Sequence, residues 1–425
     1  METKAHIPFV NGKDDLPLLR DHYEDSEVVR SSLRTAEKYP GVRKGPWKLW
    51  IDAEIDGYHH FLTQAGTYTL DDPPRSKKGT NKGKVWRHWA TYHKYIEGFA
   101  RYKSLAQEDF VRTPDQDSLS EFVHSVMDRC LKLRPAWITV PQLPLLWDGQ
   151  RRRLNAGRNK VNRGLAEACN TWRKIRRFTG RLVLPVIIFS QNLYQGKTRS
   201  KRVLDAVERS WKKAKAEVVW AVDSDLADQE GRSTFRTRFR NLVQFHVELR
   251  ARIPHATIVA GPYWGMNLVL WARELADYPA IGVGGAYQYH VSGGMLLRGA
   301  VRLPLPPLRR WAECRGKKFS DWLSGAIPEL AVDETARAQI TYLRDRFGEI
   351  ANQQVAKGLL ARFYRGWFEQ LEALPPGGRA LGLYQDLSSA YALGKSLGRT
   401  VGPLPEDGPS RDPAIVAQQL MLNCL

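Results

Sequence analysis

Residues 182–189 read LVLPVIIF, a run without a single polar side chain. A strand with one wet face alternates apolar and polar positions, whereas an unbroken, β-branched run suits a strand buried on both faces. Working outward, comparable short runs recur at 47–52 (WKLWID), 136–140 (AWITV), 218–223 (VVWAVD), 256–261 (ATIVAG) and 280–285 (AIGVGG). Segments of helical period separate them, at 119–133, 160–178, 200–215, 235–252 and 266–276. Buried strands spaced by helices predict an α/β fold with a parallel sheet, either doubly wound or closed into a TIM-like (β/α) barrel. No GxGxxG follows the first run and no GxxxxGK[ST] occurs anywhere, which favours the barrel and leaves no cofactor to expect.

The outer segments have a different texture. Residues 1–43 read as an amino-terminal segment, 44–300 as the barrel, and 301–425 as a carboxyl-terminal helical extension with helices over 309–323, 333–350, 353–371 and 385–397. Within the barrel, 71–84 (DDPPRSKKGTNKGK) is poor in apolar residues and is expected to be a mobile basic insertion after the first run.

The chain of 425 residues carries 65 Lys and Arg against 45 Asp and Glu, a formal charge of +20, together with fourteen Trp and sixteen Tyr. Such a surplus attracts polyanions, and aromatic rings beside it offer stacking platforms, so nucleic acid, DNA foremost, is the expected partner. No stretch approaches the roughly 20 apolar residues that span a bilayer, and no amphipathic anchor is evident. The amino terminus has no apolar signal segment, and Cys130, Cys169, Cys314 and Cys424 lie far apart, which together lead us to expect a cytoplasmic protein with neither a disulfide framework nor a cysteine zinc site. Oligomeric state is not legible.

A (β/α) barrel places its chemistry at the carboxyl ends of the strands. Those positions are polar here: Asp52, Glu54 and Asp56 after the first run, Gln142 after the second, Gln191 and Asn192 after the third, Asp223 and Asp225 after the fourth, Tyr263 and Trp264 after the fifth, and Tyr287, Gln288 and His290 after the sixth. In an extended strand Asp52, Glu54 and Asp56 share a face, and carboxylates held together divide into a proton-bearing and an ionised member, as glycosidic cleavage requires. The same carboxylates with Asp223 and Asp225 could instead hold magnesium. Gln142, Gln191 and Gln288 offer a donor and an acceptor to a base edge, Tyr263, Trp264 and Tyr287 offer stacking faces, and His290 can contact a phosphate or move a proton. Cations gather in the same connections: Arg151, Arg152, Arg153, Arg158 and Lys160; Lys197, Arg199, Lys201 and Arg202; Arg236 and Arg238. They are expected to grip a phosphate backbone while one nucleotide enters the barrel mouth.

The order of these features resembles the tRNA-guanine transglycosylase superfamily. Residues 50–61 (WIDAEIDGYHHF) resemble that family's early DSGGFQ segment, residues 186–192 (VIIFSQN) its VQGG element, and Gly284 and Gly285 its glycine-rich pocket element. The resemblance implies a (β/α) barrel that breaks base-to-ribose bonds, with Asp52 near the scissile bond and Gln191 reading the base. The family's late Cys-x-Cys-x-x-Cys and His zinc site is absent, as is its VDxxPTR motif, which leaves Asp52, Asp223 or Asp225 for the nucleophile. These departures turn the expectation toward branches that act on DNA. The expected activity is a DNA glycosylase that flips out and excises a modified base, leaving an abasic site, with antiphage defence as the setting those branches imply. The competing expectations are a base-exchange transglycosylase on DNA or tRNA, and a noncatalytic nucleic-acid-binding protein.

Overall fold

The computed structural model describes residues 6–55, 75, 82–85, 95, 98–102, 113–143, 152–188, 199–223, 232–263, 266–283, 302–313, 316–350, 352–405 and 421–425. Eight parallel strands close into a barrel in chain order: β1 (Ile7–Val10), β2 (Val28–Ser32), β3 (Lys48–Asp52), β4 (Trp137–Thr139), β5 (Arg181–Ile188), β6 (Val218–Asp223), β7 (Thr257–Ala260) and β8 (Tyr278–Gly282). Phe9 of β1 registers with Arg30 of β2 on one side and Gly282 of β8 on the other, so the sheet has no edge. The intervening helices are α1 (Asp15–Tyr23), α2 (Leu33–Lys38), α3 (Gln116–Leu131), α4 (Arg152–Arg176), α5 (Arg199–Ala214), α6 (Arg232–Arg252) and α7 (Asn267–Ala272). The chain is therefore the TIM-like α/β barrel that the strand pattern predicts.

The barrel begins earlier than the sequence reading placed it. Starting it at Lys44 counts six strands, whereas β1 and β2 lie inside the segment 1–43. β1 reads IPFV, apolar but only four residues long, and β2 reads VVRSS, polar in its second half. That polarity has a cause in the barrel interior. Strand alternation turns Phe9, Arg30, Trp50 and Trp220 inward. The rings of Phe9, Trp50 and Trp220 meet edge to face at 5.3–5.5 Å between centroids. Trp137 packs on Trp50 at 5.9 Å, and the Trp50 indole donates to Thr139 Oγ1 at 2.8 Å. Bulky rings thus fill a lumen that smaller branched side chains commonly fill. Arg30 lies over this aromatic plug, 5.0 Å from the Phe9 ring and 5.6 Å from that of Trp220.

Beyond the barrel the structure departs again from the helical expectation for 309–323. β9 (Arg302–Leu305) and β10 (Arg310–Glu313) form an antiparallel hairpin, and the helix starts only at Gly316. Prolines 306 and 307 stiffen the turn, and Arg309 takes the left-handed conformation (φ 48°) that reverses the chain. There follow α8 (Gly316–Glu329), α9 (Glu334–Asp345), α10 (Phe347–Ile350), α11 (Gln353–Glu372) and α12 (Pro376–Thr400). Leu303, Leu305, Phe319, Trp322, Leu323 and Ile340 build a second core here. α11 joins the two, since Phe368 packs on Trp271 at 4.6 Å and on His6 at 4.8 Å, and the Tyr23 hydroxyl donates to the Ala361 carbonyl. Among the described residues no helix is long and apolar enough to cross a membrane.

The carboxyl end of β7 is fixed by two small features. Gly261 sits at φ +93°, and a Cβ there would meet Tyr263 N at 3.0 Å and Asn267 Nδ2 at 3.1 Å. The buried Asn267 amide donates to the carbonyls of Ala260 (3.1 Å) and Ala280 (2.6 Å), tying β7 to β8. Asn267→Leu removes both bonds inside a closed core, and the expected loss is about 1–3 kcal/mol of unfolding free energy. Urea denaturation checks this, and an unchanged midpoint would refute the tie.

Candidate active site at the barrel mouth

Arg30, from the polar half of β2, is almost fully buried and forms an ion pair with the equally buried Asp52 at the end of β3. A second carboxylate joins the same nitrogen: Glu54 Oε1 lies 3.4 Å from Arg30 Nη2. Across the barrel seam Arg30 Nη1 reaches Asn11 Oδ1 at 3.4 Å, and the Asn11 N–H donates to Asp15 at 2.8 Å. One guanidinium therefore gathers the loops after β1 and β3. A buried charge of this kind persists only with partners, and here they are supplied at the strand ends.

The convergence of Asp52 and Glu54 does not come from strand alternation. β3 ends at Asp52, and Glu54 adopts a left-handed conformation (φ 54°), uncommon for a residue with a side chain. The turn is held because the Glu54 N–H donates to Asp52 Oδ1 at 2.9 Å, the local bond by which an Asp stabilises a turn. Glu54 keeps about 15% of its side-chain surface exposed, whereas Asp52 keeps 1%. Burial pushes the Glu54 carboxyl above its ordinary range; Arg30 and Arg34 oppose that, and Asp52 adds to it. The outcome is an ion-paired Asp beside a Glu that holds its proton more tightly than usual.

Other residues singled out by sequence fall elsewhere. Gln142 is buried, and its amide nitrogen donates to the carbonyls of Pro141 (2.9 Å) and Asn162 (3.0 Å), while Asn162 binds both backbone groups of Leu143. It braces the loop after β4 against α4, and a base would find only its carbonyl oxygen. Tyr263 is fully buried, accepting from the Asp223 N–H at 2.8 Å and donating to the Ala221 carbonyl at 3.1 Å, so it clamps β6. Burial, and then the Asp223 charge, hold its hydroxyl well above the usual tyrosine range. Asp223 itself is fully buried at the end of β6, and alternation puts it opposite in sense to Trp220. Asp56, Gln191, Asn192, Asp225, Trp264, Tyr287, Gln288 and His290 lie outside the described residues, as does most of the insertion 71–84. Among the described residues no group of three His, Cys, Asp or Glu is placed to hold a metal ion.

The cations divide as well. Lys160, Lys201 and Arg202 are exposed, whereas Arg158 and Arg238 are buried. Arg151 and Lys197 lie outside the described residues, and the side chains of Arg152, Arg153, Arg199 and Arg236 do too, although their backbones begin α4, α5 and α6. Each helix starts from the loop that leaves the carboxyl end of its strand, so helix amino termini ring the mouth. First turns ordinarily favour Asp and Glu, because the helix dipole is positive there. α4, α5 and α6 have no acidic residue in the first turn and open instead on Arg152 and Arg153, on Arg199, Lys201 and Arg202, and on Arg232. Three successive helices thus begin on basic sequence where acidic residues are the usual choice.

Sequence reasoning missed Arg30 and Asn11, because Arg30 lies in β2 and Asn11 directly follows β1, two strands it did not recognise. An arginine inside the β-like VVRSS, about one βα unit ahead of WKLWID, is the signal that could have exposed them. No protein-family model matches this chain, and no curated protein matches it.

Arg30→Met should cost roughly 3–5 kcal/mol in urea unfolding, because it leaves two carboxylates without their cation. Wild-type stability rules that pairing out. A second expectation concerns pH. A carboxyl whose folded pKa is raised binds its proton more tightly when folded, so its stabilising influence is present at low pH and is lost as pH rises above the ordinary value of 4.5. Glu54→Gln should therefore match the wild type near pH 4 and become progressively more stable than it toward pH 7. A pH-independent difference would contradict the assignment.

Proposed function

We propose that the protein is a DNA glycosylase: its cationic mouth holds a strand, and the barrel hydrolyses the N-glycosidic bond of one flipped-out base. The observation that carries this reading is the buried Arg30–Asp52 pair with Glu54 on the same guanidinium, at the carboxyl end of a barrel whose helices α4 to α6 start on basic sequence. Hydrolysis of that bond needs an acid for the departing base and a carboxylate for the electron-poor sugar carbon. In the proposed reaction Glu54 gives its proton to the leaving base nitrogen as the C1′–N bond breaks. Asp52, oriented by Arg30, stabilises or captures the oxocarbenium-like sugar. Water then adds to C1′, Glu54 recovers a proton from it, and an abasic site remains. The resemblance to tRNA-guanine transglycosylases supports the same place for Asp52 and offers Gln191 as the base reader. The missing zinc-site cysteines turn the reading toward DNA, a modified base and antiphage defence.

One observation favours a second reading, that of a noncatalytic nucleic-acid-binding protein. Arg30 neutralises Asp52 within a fully buried pair, which by itself is a way to close a barrel mouth. Asp52→Asn separates the two. Under the glycosylase reading this variant releases base at least about 100-fold more slowly, the scale expected for loss of a nucleophile or charge stabiliser, and still binds DNA with wild-type salt dependence. Counting abasic sites in phage-modified DNA measures the first, and filter binding over a salt series the second. Undiminished release in Asp52→Asn sinks the catalytic assignment, and a wild type that binds steeply with salt but releases nothing leaves the binder.

A further inference from the structure

The carboxyl-terminal extension holds an open groove of about 420 Å³ between α9, α11 and the hairpin β9–β10, and none of its lining belongs to the Arg30 cluster. Its floor is α11. Leu359, Phe363, Gly366, Trp367 and Gln370 recur at the three- and four-residue spacing of one helix face, and the exposed Val355 continues that face one turn earlier. From Leu359 to Gln370 the floor runs for about 16 Å, three turns of helix. Tyr342 of α9 stands exposed on one wall, and Pro304 and Pro306 contribute the other. The floor is fixed in advance: Phe363 and Trp367 stack at 28° between planes, and Arg309, paired with Asp386 at 2.8 Å, lies over the Trp367 ring.

Three observations specify what covers this groove. The surface it presents is almost wholly apolar, so it offers no hydrogen bonds to the backbone of an extended peptide. A segment lying in it must satisfy its own N–H and C=O groups, as a helix does. Next, Gly366 lies inside α11, where glycine weakens a helix, yet an added Cβ there would meet nothing within 4 Å. No contact within the described residues requires the missing side chain, whereas a large side chain entering from outside would seat in the notch it leaves. Charge supplies the third. The lining contains Arg309 and Arg362 and no acid; Asp386 neutralises Arg309, and the exposed Arg362 forms no ion pair among the described residues. We propose that this groove docks an amphipathic helix of a partner protein, with its large apolar side chains on the α11 floor and an acidic side chain on Arg362. The same charge argues against a second copy of this chain, which also carries +20. The docking does not depend on the reaction assigned to the barrel mouth.

Fluorescence anisotropy of the full chain with two labelled peptides of about 18 residues tests it. Both carry leucine and phenylalanine at i, i+4 and i+7 along one helix face, one with glutamate and the other with lysine on the opposite face. The glutamate peptide should bind, and the lysine peptide should bind at least roughly tenfold more weakly. Gly366→Leu fills the floor with a residue that favours a helix, so it should unfold no earlier in urea than the wild type and should weaken the glutamate peptide by roughly tenfold or more. An earlier midpoint would contradict the open notch on which the proposal rests. Arg362→Glu, a change at an exposed position, should weaken the glutamate peptide by a similar factor, and Asp52→Asn should leave it unchanged, which separates the groove from the mouth. Absence of binding overturns the proposal. So does binding that Gly366→Leu leaves intact, which marks a general attraction of an acidic peptide to a basic protein. Sedimentation of the peptide-free chain addresses the remaining occupant: a monomer is expected, and self-association that Gly366→Leu abolishes assigns the groove to a second copy and overturns the partner.

Discussion

The ion pair between Arg30 and Asp52 organises the top of this barrel. A guanidinium cannot lie buried over two aromatic rings without an anion beside it, because the dehydration cost of a lone buried charge exceeds what ring contacts return. The partners are placed by backbone geometry: Asp52 by the register of β3 with β2, Glu54 by the left-handed turn that Asp52 itself stabilises, and Asn11 by the short loop after β1. Once the pair is set, the chemistry of the mouth follows. Glu54 is close enough to the same cation to stay in the cluster, and its burial pushes its carboxyl above the ordinary range.

The aromatic plug below the cluster is the structural complement of that pair. Phe9, Trp50 and Trp220 close the lumen, Trp220 is anchored to the Gly261 carbonyl at 2.7 Å, and Trp50 to Thr139. Water is thereby excluded from the underside of the ion pair, which strengthens every interaction within it. Around the rim the helix starts act in the opposite sense. Basic residues where the helix dipole is already positive are locally unfavourable for folding. Part of the basic sequence thus opens helices that start at the end of the barrel where the carboxylates lie.

Much of the barrel was legible because its strands from β3 onward are mostly buried and carry apolar runs in their middles. The same rule hid β2, since a strand that carries an inward arginine loses the pattern that identifies it. For the site, Asp52 was legible from its place after WKLWI. The grouping of Asp52 with Glu54 was anticipated for the wrong reason, alternation along an extended strand, where a turn at φ 54° brings them together. Gln142 and Tyr263 illustrate another limit: a polar residue after a strand serves equally well as a brace, and only its partners reveal which. Arg158 and Arg238 make the same point for charge, since a helical arginine near a basic run can face inward.

If the paired carboxylates perform the chemistry, Glu54 must carry its proton to act. The most direct measurement is the rate of free-base release from phage-modified DNA, followed by mass spectrometry across pH 4 to 9 at constant ionic strength. Release should be fast in acid, fall as pH passes the raised pKa of Glu54, and lose that acid dependence in Glu54→Gln. A rate in the wild type that rises with pH or shows no inflection, or the absence of any released base, would contradict the assignment of the Arg30, Asp52 and Glu54 cluster as a glycosidic active site.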